Sequence, residues 1–463
     1  MKKILLTAFL FSAFYSYSTV YYVDASKPNN NLNGLSWATA KKDLQEALNL
    51  AVTGDEIWVK QGTYYPTKNF TNNPSPSDLR TRSFHFNTMG ISLYGGFIGN
   101  ETDKDQADPE NNSTILSGDF NNDDTLDTTG STLSGFANTN ENAYHLLVIA
   151  SVTAPCEING FTFKGGQTSM SGTVSDSYLG NTIYRSSGSA INFAGSNVFV
   201  KRCKFQKNVS LYGTLCLNNS SNVTVDNCLF DDNFGIWGGA INNQGGTRIV
   251  CRNSTFHNNR SSTAGAIWIN SGSNNNLIYN SIFWNNSKNG STTTAGAEIS
   301  SSGILNVYDS ILQSFAGGTN NLLANPLFVN ANTSDFRLQT GSPALDSGNN
   351  NWVLATTITD IAGNTRIQNT TVDRGAYEGE VLLSTKDFDN YLFSLYPNPV
   401  KNNLTIESVE TLDEITIYTL TGQKIAISQV NNTIDMSELP NGYYFVKAST
   451  VTGKMMTSKV MKE

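Results

Sequence analysis

The chain of 463 residues is long enough for two or three domains, and only 15% of its residues are charged, against about 25% in an average soluble domain. Gly, Ser, Thr and Asn fill the difference, the composition of an all-β protein rich in turns. A net charge of −8 with no lysine or arginine run offers no basic field for phosphates and excludes nucleic acid as a partner; no stretch reaches the roughly 20 apolar residues of a membrane-spanning helix, so no transmembrane segment is predicted.

In chain order, Lys2 and Lys3 precede an apolar run from Ile4 to Tyr15, and Ser16 and Ser18 are the small residues of a cleavage site. This predicts a signal peptide over 1–18. Over 39–52, Ala40, Leu44, Ala47, Leu48 and Ala51 share one helical face, with Gly54 as the stop and a strand from Glu56. Such a helix caps a stack of strands whose open edges would otherwise polymerise. Further on, DFNNDDTLD places Asp119, Asn121, Asp123 and Asp127 at positions 1, 3, 5 and 9 of a calcium-type loop, where oxygens at alternate residues can surround one hard cation. Asp124 stands where an EF-hand has glycine and Gly130 where it has glutamate, so the loop reads either as a structural calcium site or as a solvated acidic turn.

A repeat follows, over about 156–315. RCKFQKN, DNCLFDDN, NSTFHNN, NSIFWNN and DSILQSF bring Phe205, Phe230, Phe256, Phe283 and Leu312 into one column at intervals of 25, 26, 27 and 29 residues, the last segment ending at Phe315. Three residues beyond the column stand Asn208, Asn233, Asn259 and Asn286. A second strand in each unit begins at Gly188, Gly213, Gly238, Ala264 and Ala295, so each unit is expected to hold two short strands. One unit cannot bury its own apolar side; stacked in parallel at about 4.8 Å, the units form a solenoid with a phenylalanine stack inside. The asparagine amides, each both donor and acceptor, are expected to form a ladder and to take the left-handed backbone of the corner. Cys156, Cys203, Cys216, Cys228 and Cys251 are odd in number and lack metal-binding spacing, and read mostly as small buried hydrophobes.

The stretch from Tyr21 to Thr67, with SLYGGFIGNET, TILSGDFNNDD, ENAYHLLVI and INGFTFKGG, resembles exported bacterial pectate-lyase-like proteins. The resemblance implies an all-β, right-handed parallel β-helix over 19–380. SPALDSG, DIAGNTR and DRGAYEG, within about 324–379, resemble the choice-of-anchor Q module that closes such helices. After a linker over 381–390, the segment 391–463, with its Tyr396–Pro399 opening and Leu439–Gly442 turn, resembles the type A sorting domain of the Bacteroidetes type IX secretion system. Its alternating strands and Thr-Gly and Asn-Gly turns read independently as a small C-terminal β-sandwich. That resemblance implies the type IX secretion machinery and a surface sortase as partners, with an exported protein at the outer-membrane surface or outside the cell. Asp124-Thr125-Leu126 and Asp309-Ser310-Ile311 also resemble the short O-glycosylation sequence of those bacteria.

Catalysis on a β-helix needs groups that converge across coils. Asp226, Asp231 and Asp232 lie on one coil, but the matching places on the next are Arg252, His257 and Asn258, while His85 and His145 are scattered; no catalytic residue is assigned and no cofactor is required. The expectation is a non-enzymatic, adhesin-like surface protein that binds glycan, as a carbohydrate ligand, or another surface through its exposed β-helix face. The alternative is a polysaccharide lyase or glycoside hydrolase whose cleft is built by the irregular segment 69–136.

Overall fold

The computed structural model describes residues 18–86, 90–127, 134–154, 156–314, 317–379, 393–408, 411–425, 429–430, 432–451 and 455–463; the signal peptide apart from Ser18, Gly130, Phe315 and the 381–390 linker lie outside them. The chain divides into two compact units, Met1–Glu380 and Val381–Glu463.

The first unit is a parallel β-helix with three faces. Nine strands from Val20–Val23 to Leu305–Tyr308 form the first sheet, eight from Gly62–Tyr64 to Ile311–Leu312 the second, and seven from Phe84–His85 to Ile299–Ser301 the third. A shorter ladder links Val209–Tyr212, Phe234–Trp237, Arg260–Ser261 and Ser287–Lys288. The coils of the repeat therefore hold at least three strands, not two. The additional strand, as in Asn197–Lys201, buries Val198 and Val200 and turns Phe199 and Lys201 outward; its alternation is short and its outward residues differ from coil to coil, which hides it from a column search.

The phenylalanine column lies in the second sheet and faces the interior. Phe163, Phe205, Phe230, Phe256 and Phe283 stack with centroids 5.0, 4.6, 4.7 and 4.5 Å apart, all fully buried, and Leu312 pairs with Phe283 beyond them. The spacing follows the strand pitch, so each ring contributes its own burial, about 1.5–3 kcal/mol, and contact with two like neighbours. At the next corner Asn208 Nδ2 donates to Asn233 Oδ1 at 3.0 Å, Asn233 to Asn259 at 2.9 Å and Asn259 to Asn286 at 2.9 Å. The left-handed residue is not the ladder asparagine but the one before it: Lys207, Asp232, Asn258 and Asn285 have φ of 55°, 60°, 49° and 57°. Turning the chain there leaves the asparagine side chain aimed inward, where its amide satisfies buried backbone groups.

Both ends of the helix are protected. The N-terminal helix spans Leu44–Leu50 and not 39–52, because the residues before it are already paired: Lys41 N donates to Tyr22 O and Asp24 N to Lys41 O, both at 2.8 Å. Its Gln45 side chain donates to His85 O and accepts from His85 N, both at 3.0 Å, closing the edge of the third sheet. At the other end, Thr319 and Leu322 bridge to Tyr308 and Ile311 of the last coil. The rest of the closing segment lies along the flank, where Phe328, Phe336, Leu338, Ile361 and Tyr377 cover the outward-facing Leu229, Ile282 and Ile311. Its motif words hold a buried polar network: Arg366 Nη2 lies 3.1 Å from Glu378 Oε1, while Asp360 and Asp373 accept from the Glu378 and Gly379 N–H groups at 2.8 and 2.6 Å. All five cysteines are free and buried.

The second unit has two four-stranded antiparallel sheets around Val400, Leu404, Ile406, Ile417, Ile434, Met436, Tyr444 and Val446, a small core of its own. Among the described residues no helix is long and apolar enough to cross a membrane.

Candidate functional site

The outward column of the first sheet runs through Tyr94, Asn159, Lys201, Asp226 and Arg252 in register. Two segments distant in sequence rise beside it. One is the 3₁₀ turn Lys104–Gln106, fixed by a capping box between Asp103 and Gln106; the other is residues 356–363 of the closing segment. Between them lies a cavity of about 520 Å³, lined by Glu157, Lys201, Arg202 and Asp226 on its floor and by Lys104, Asp105 and Asp108 on one lip.

Each charge in this groove has a definite environment. Lys201 Nζ pairs with Glu157 Oε2 at 2.8 Å. Asp226 is fully buried, accepts from Asn253 Nδ2 at 2.9 Å and from the Thr357 hydroxyl, and so pins the far wall. Arg202 occupies a left-handed corner with φ 48°; its guanidinium donates to Ala107 O at 3.4 Å, its Nε has no partner, and burial lowers its pKa. A floor and two walls thus bring cations and carboxylates together although no carboxylates stack on adjacent coils. Of the irregular segment 69–136, expected to form the cleft, the lip at 104–108 takes part; the opposing wall, 356–363, lies some 250 residues further along the chain.

A second constellation stands at the acidic loop. Asp119, Asp123, Asp124 and Glu141 each place a carboxylate oxygen within 4.8 Å of the others. Asn121 is exposed and Asp127 is drawn into a hairpin, its N–H donating to Gly135 O at 2.9 Å. The carboxylates that come together are Asp119 and Asp123 of the expected pattern, with Asp124 from the glycine position and Glu141 from beyond the hairpin beside them. Burial pushes the Asp124 carboxyl up to about 7, and the charges of Asp119, Glu141 and Asp123 add to the rise against the hydrogen bond from Asn142.

The histidines belong to the framework. His85 is buried, its ring nitrogen 2.9 Å from Ser83 O, and burial lowers its pKa to about 4. His145 lies 3.1 Å from Gly188 O just before the strand Leu147–Ala150, and His257 is 2.9 Å from Asp231 under Phe336. Of the two glycosylation-like sequences, Thr125 is exposed, whereas Ser310 is fully buried and donates to Tyr308 O at 2.9 Å.

Residues 145–304 match the family model described as right handed beta helix region, and residues 394–463 match that of the secretion system C-terminal sorting domain. The chain is a right-handed parallel β-helix fused to a type IX secretion sorting domain. This β-helix protein is accordingly a cargo of that system, exported to the cell surface or beyond through contact of its sorting domain with the secretion machinery. It is similar to a solved structure titled "Crystal structure of pectate lyase Pel9A", with 13% identity, a TM-score of 0.28, and coverage of 78% of this chain and 96% of that one. Among curated proteins none matches the chain.

Proposed function

We propose that the exported β-helix is a polysaccharide-acting enzyme, a lyase or glycoside hydrolase, which takes a carboxylated polysaccharide into the groove on the first sheet. The observation that carries this reading is the convergence of Lys201, Arg202, Glu157, Asp105 and Asp108 on one open cavity of about 520 Å³. The sequence favours a non-enzymatic binding role because the regular coils align no catalytic groups; what supports the enzymatic reading is that charged residues from outside the regular coils line the same cavity as Lys201 and Arg202. Lys201 and Arg202 would neutralise a substrate carboxylate, stabilising negative charge as it develops at the neighbouring carbon or at the leaving oxygen. Asp105 and Asp108, on the lip, would exchange protons with solvent and substrate.

The test is turnover of polygalacturonate, alginate and a neutral glucan by the mature protein, read as unsaturated uronate absorbance and as new reducing ends. Unsaturated ends identify a lyase; reducing ends alone identify a hydrolase. Arg202→Ala and Lys201→Ala should each lower turnover by on the order of 10²-fold. Tight binding without any product would return the protein to the adhesin-like class, and neither binding nor turnover would overturn the carbohydrate reading.

A further inference from the structure

We propose that Tyr212, Trp237 and Trp268 form an aromatic ridge on the outside of the β-helix that binds a neutral β-linked glucan by stacking on its sugar rings, a site separate from the charged groove and independent of any chemistry there.

Trp237 ends the strand Phe234–Trp237 and lies in register with Tyr212 of the coil before, one strand pitch of about 4.8 Å away. Trp268 belongs to the coil after, in the third sheet, where the column facing away from the core runs through Asn192, Cys216, Asn242, Trp268 and Ser300. Across the corner the indoles of Trp237 and Trp268 meet edge to face, with centroids 5.2 Å apart. Glycine at that corner permits the approach: Gly238 has φ +80°, and a Cβ there would stand 3.2 Å from Trp268 Cβ. The Trp237 carbonyl accepts from Asn242 Nδ2 at 2.7 Å, which fixes the base of the ridge.

The other tryptophans show how this fold treats a structural indole. Trp37, Trp58 and Trp352 donate their ring N–H to Glu101 O at 3.0 Å, Glu56 Oε2 at 2.9 Å and Asp309 Oδ2 at 2.7 Å, and Trp284 packs against the closing segment. Trp237 and Trp268 do neither. Among the described residues their N–H groups have no acceptor, and neither ring belongs to an apolar cluster. Trp237 keeps 37% of its surface exposed, and Tyr212 and Trp268 are half-buried. Stacking of coils demands like residues only on the inside, so the fold has no need of three aromatic rings at adjoining outward places. Rings of this kind, apolar in body with a polar handle left free, suit a surface that another molecule covers.

The surroundings select the occupant. Beside the rings the third sheet presents the half-buried amides of Asn218, Gln244 and Asn270, with Asn270 Nδ2 3.5 Å from Gln244 Oε1, and Ser300 lies in register with Trp268. This column and the amides beside it hold no charged side chain; Lys288 borders only the Ser300 end, near Gly296. The groove on the first sheet, lined by Lys201, Arg202, Glu157 and Asp226, has the opposite character. An anionic chain or a lipid surface calls for a basic field, which the ridge lacks. A β-linked glucan carries no charge, and its equatorial hydroxyls leave flat C–H faces; the rings take the faces and the amides, each both donor and acceptor, take the hydroxyls.

The experiment is calorimetric titration of the full chain with cellohexaose, laminarihexaose and hexagalacturonate, with tryptophan fluorescence read in parallel. Wild type should bind at least one of the two neutral hexasaccharides and change its fluorescence on doing so. Trp237→Ala and Trp268→Ala should each weaken that binding tenfold or more, and Trp237→Phe should retain more of it than Trp237→Ala, with melting temperatures close to wild type throughout. Arg202→Ala in the groove should leave it intact, and Trp237→Ala should leave polygalacturonate turnover intact, so the two sites stand or fall separately. The ridge is overturned if neither neutral hexasaccharide binds, if binding survives Trp237→Ala combined with Trp268→Ala, or if it is lost in Arg202→Ala. Self-association of the wild type, abolished by Trp237→Ala and unaffected by cellohexaose, would assign the ridge to a second copy of the chain and overturn the proposal as well.

Discussion

Replacing Asn233 with alanine tests the part of the architecture on which everything else is stacked. Its Nδ2 donates to Asn259 Oδ1 at 2.9 Å and to Phe205 O at 2.8 Å, and its Oδ1 accepts from Asn208 N at 3.1 Å and Asn208 Nδ2 at 3.0 Å. Not all of these partners are stranded by its loss. Asn259 Oδ1 keeps the Asn233 N–H at 3.2 Å, and Asn208 Nδ2 keeps Phe163 O at 3.0 Å. Phe205 O stays within the ladder to the next coil, whereas Asn208 N loses its acceptor in a fully buried corner, and for one unsatisfied group the cost is about 1–3 kcal/mol. Exposed Asn29, replaced in the same way, should change stability by less than about 0.5 kcal/mol. Urea unfolding followed by circular dichroism gives both numbers, and Asn286→Ala should cost about as much as Asn233→Ala, because it strands Asn259 N in the same way. If Asn233→Ala and Asn29→Ala unfold at the same midpoint with the same slope, the ladder contributes nothing and the argument for it fails.

Deleting residues 391–463 should leave the β-helix folded but retained in the periplasm, because the second unit holds its own core and serves as an address; surface material from the intact strain should end between about Glu380 and Tyr391 by mass spectrometry, and surface chains retaining Glu463 would contradict this. Burial pushes Glu378 up to about 8, with Asp373 and Asp360 raising it further against the pull of Arg366. The folded state then holds a proton that the unfolded chain releases above its ordinary value near 4.3, so stability falls as pH rises from there to about 8. Glu378→Gln should flatten that slope in melts taken across the same range, and an unchanged slope would place the proton elsewhere. Asp226→Ala removes the acceptor for Asn253 and Thr357 and should loosen the 356–363 wall, raising the substrate concentration needed for half-maximal binding while leaving the secondary structure intact by circular dichroism.

The interior of this fold was legible because stacking forces like residues above like. Phe205, Phe230, Phe256 and Phe283 recur because each must fill the space between its neighbours 4.5–4.7 Å away, and the register of Asp226 against Arg252 and of Asp231 against His257 followed from the same column. The corner was misread by one residue. In Asn258-Asn259 and Asn285-Asn286 both positions carry the residue type that tolerates a left-handed backbone, and only the geometry separates the member that turns the chain from the member that bonds inward. The third strand escaped notice because a sheet facing outward constrains half of its residues; Lys201, Asp226, Arg252 and Tyr279 share a column while sharing no chemistry.

That freedom on the outward face is also why the groove could not be read from the repeat. A solenoid fixes the positions of its outward side chains and leaves their identity open, so a site arises wherever a neighbouring segment encloses a few of them. Here the enclosing segments are residues 104–108 and 356–363, and nothing in either marks the other as its partner. The acidic loop shows the same limit on a smaller scale. Alternation along the chain points to Asn121 and Asp127 beside Asp119 and Asp123; it does not reveal that Glu141 returns beside Asp119 or that Asp127 donates its N–H to Gly135 O. Chemistry carried by columns is written once per coil and can be recognised by its period, whereas chemistry assembled from insertions depends on where the chain returns.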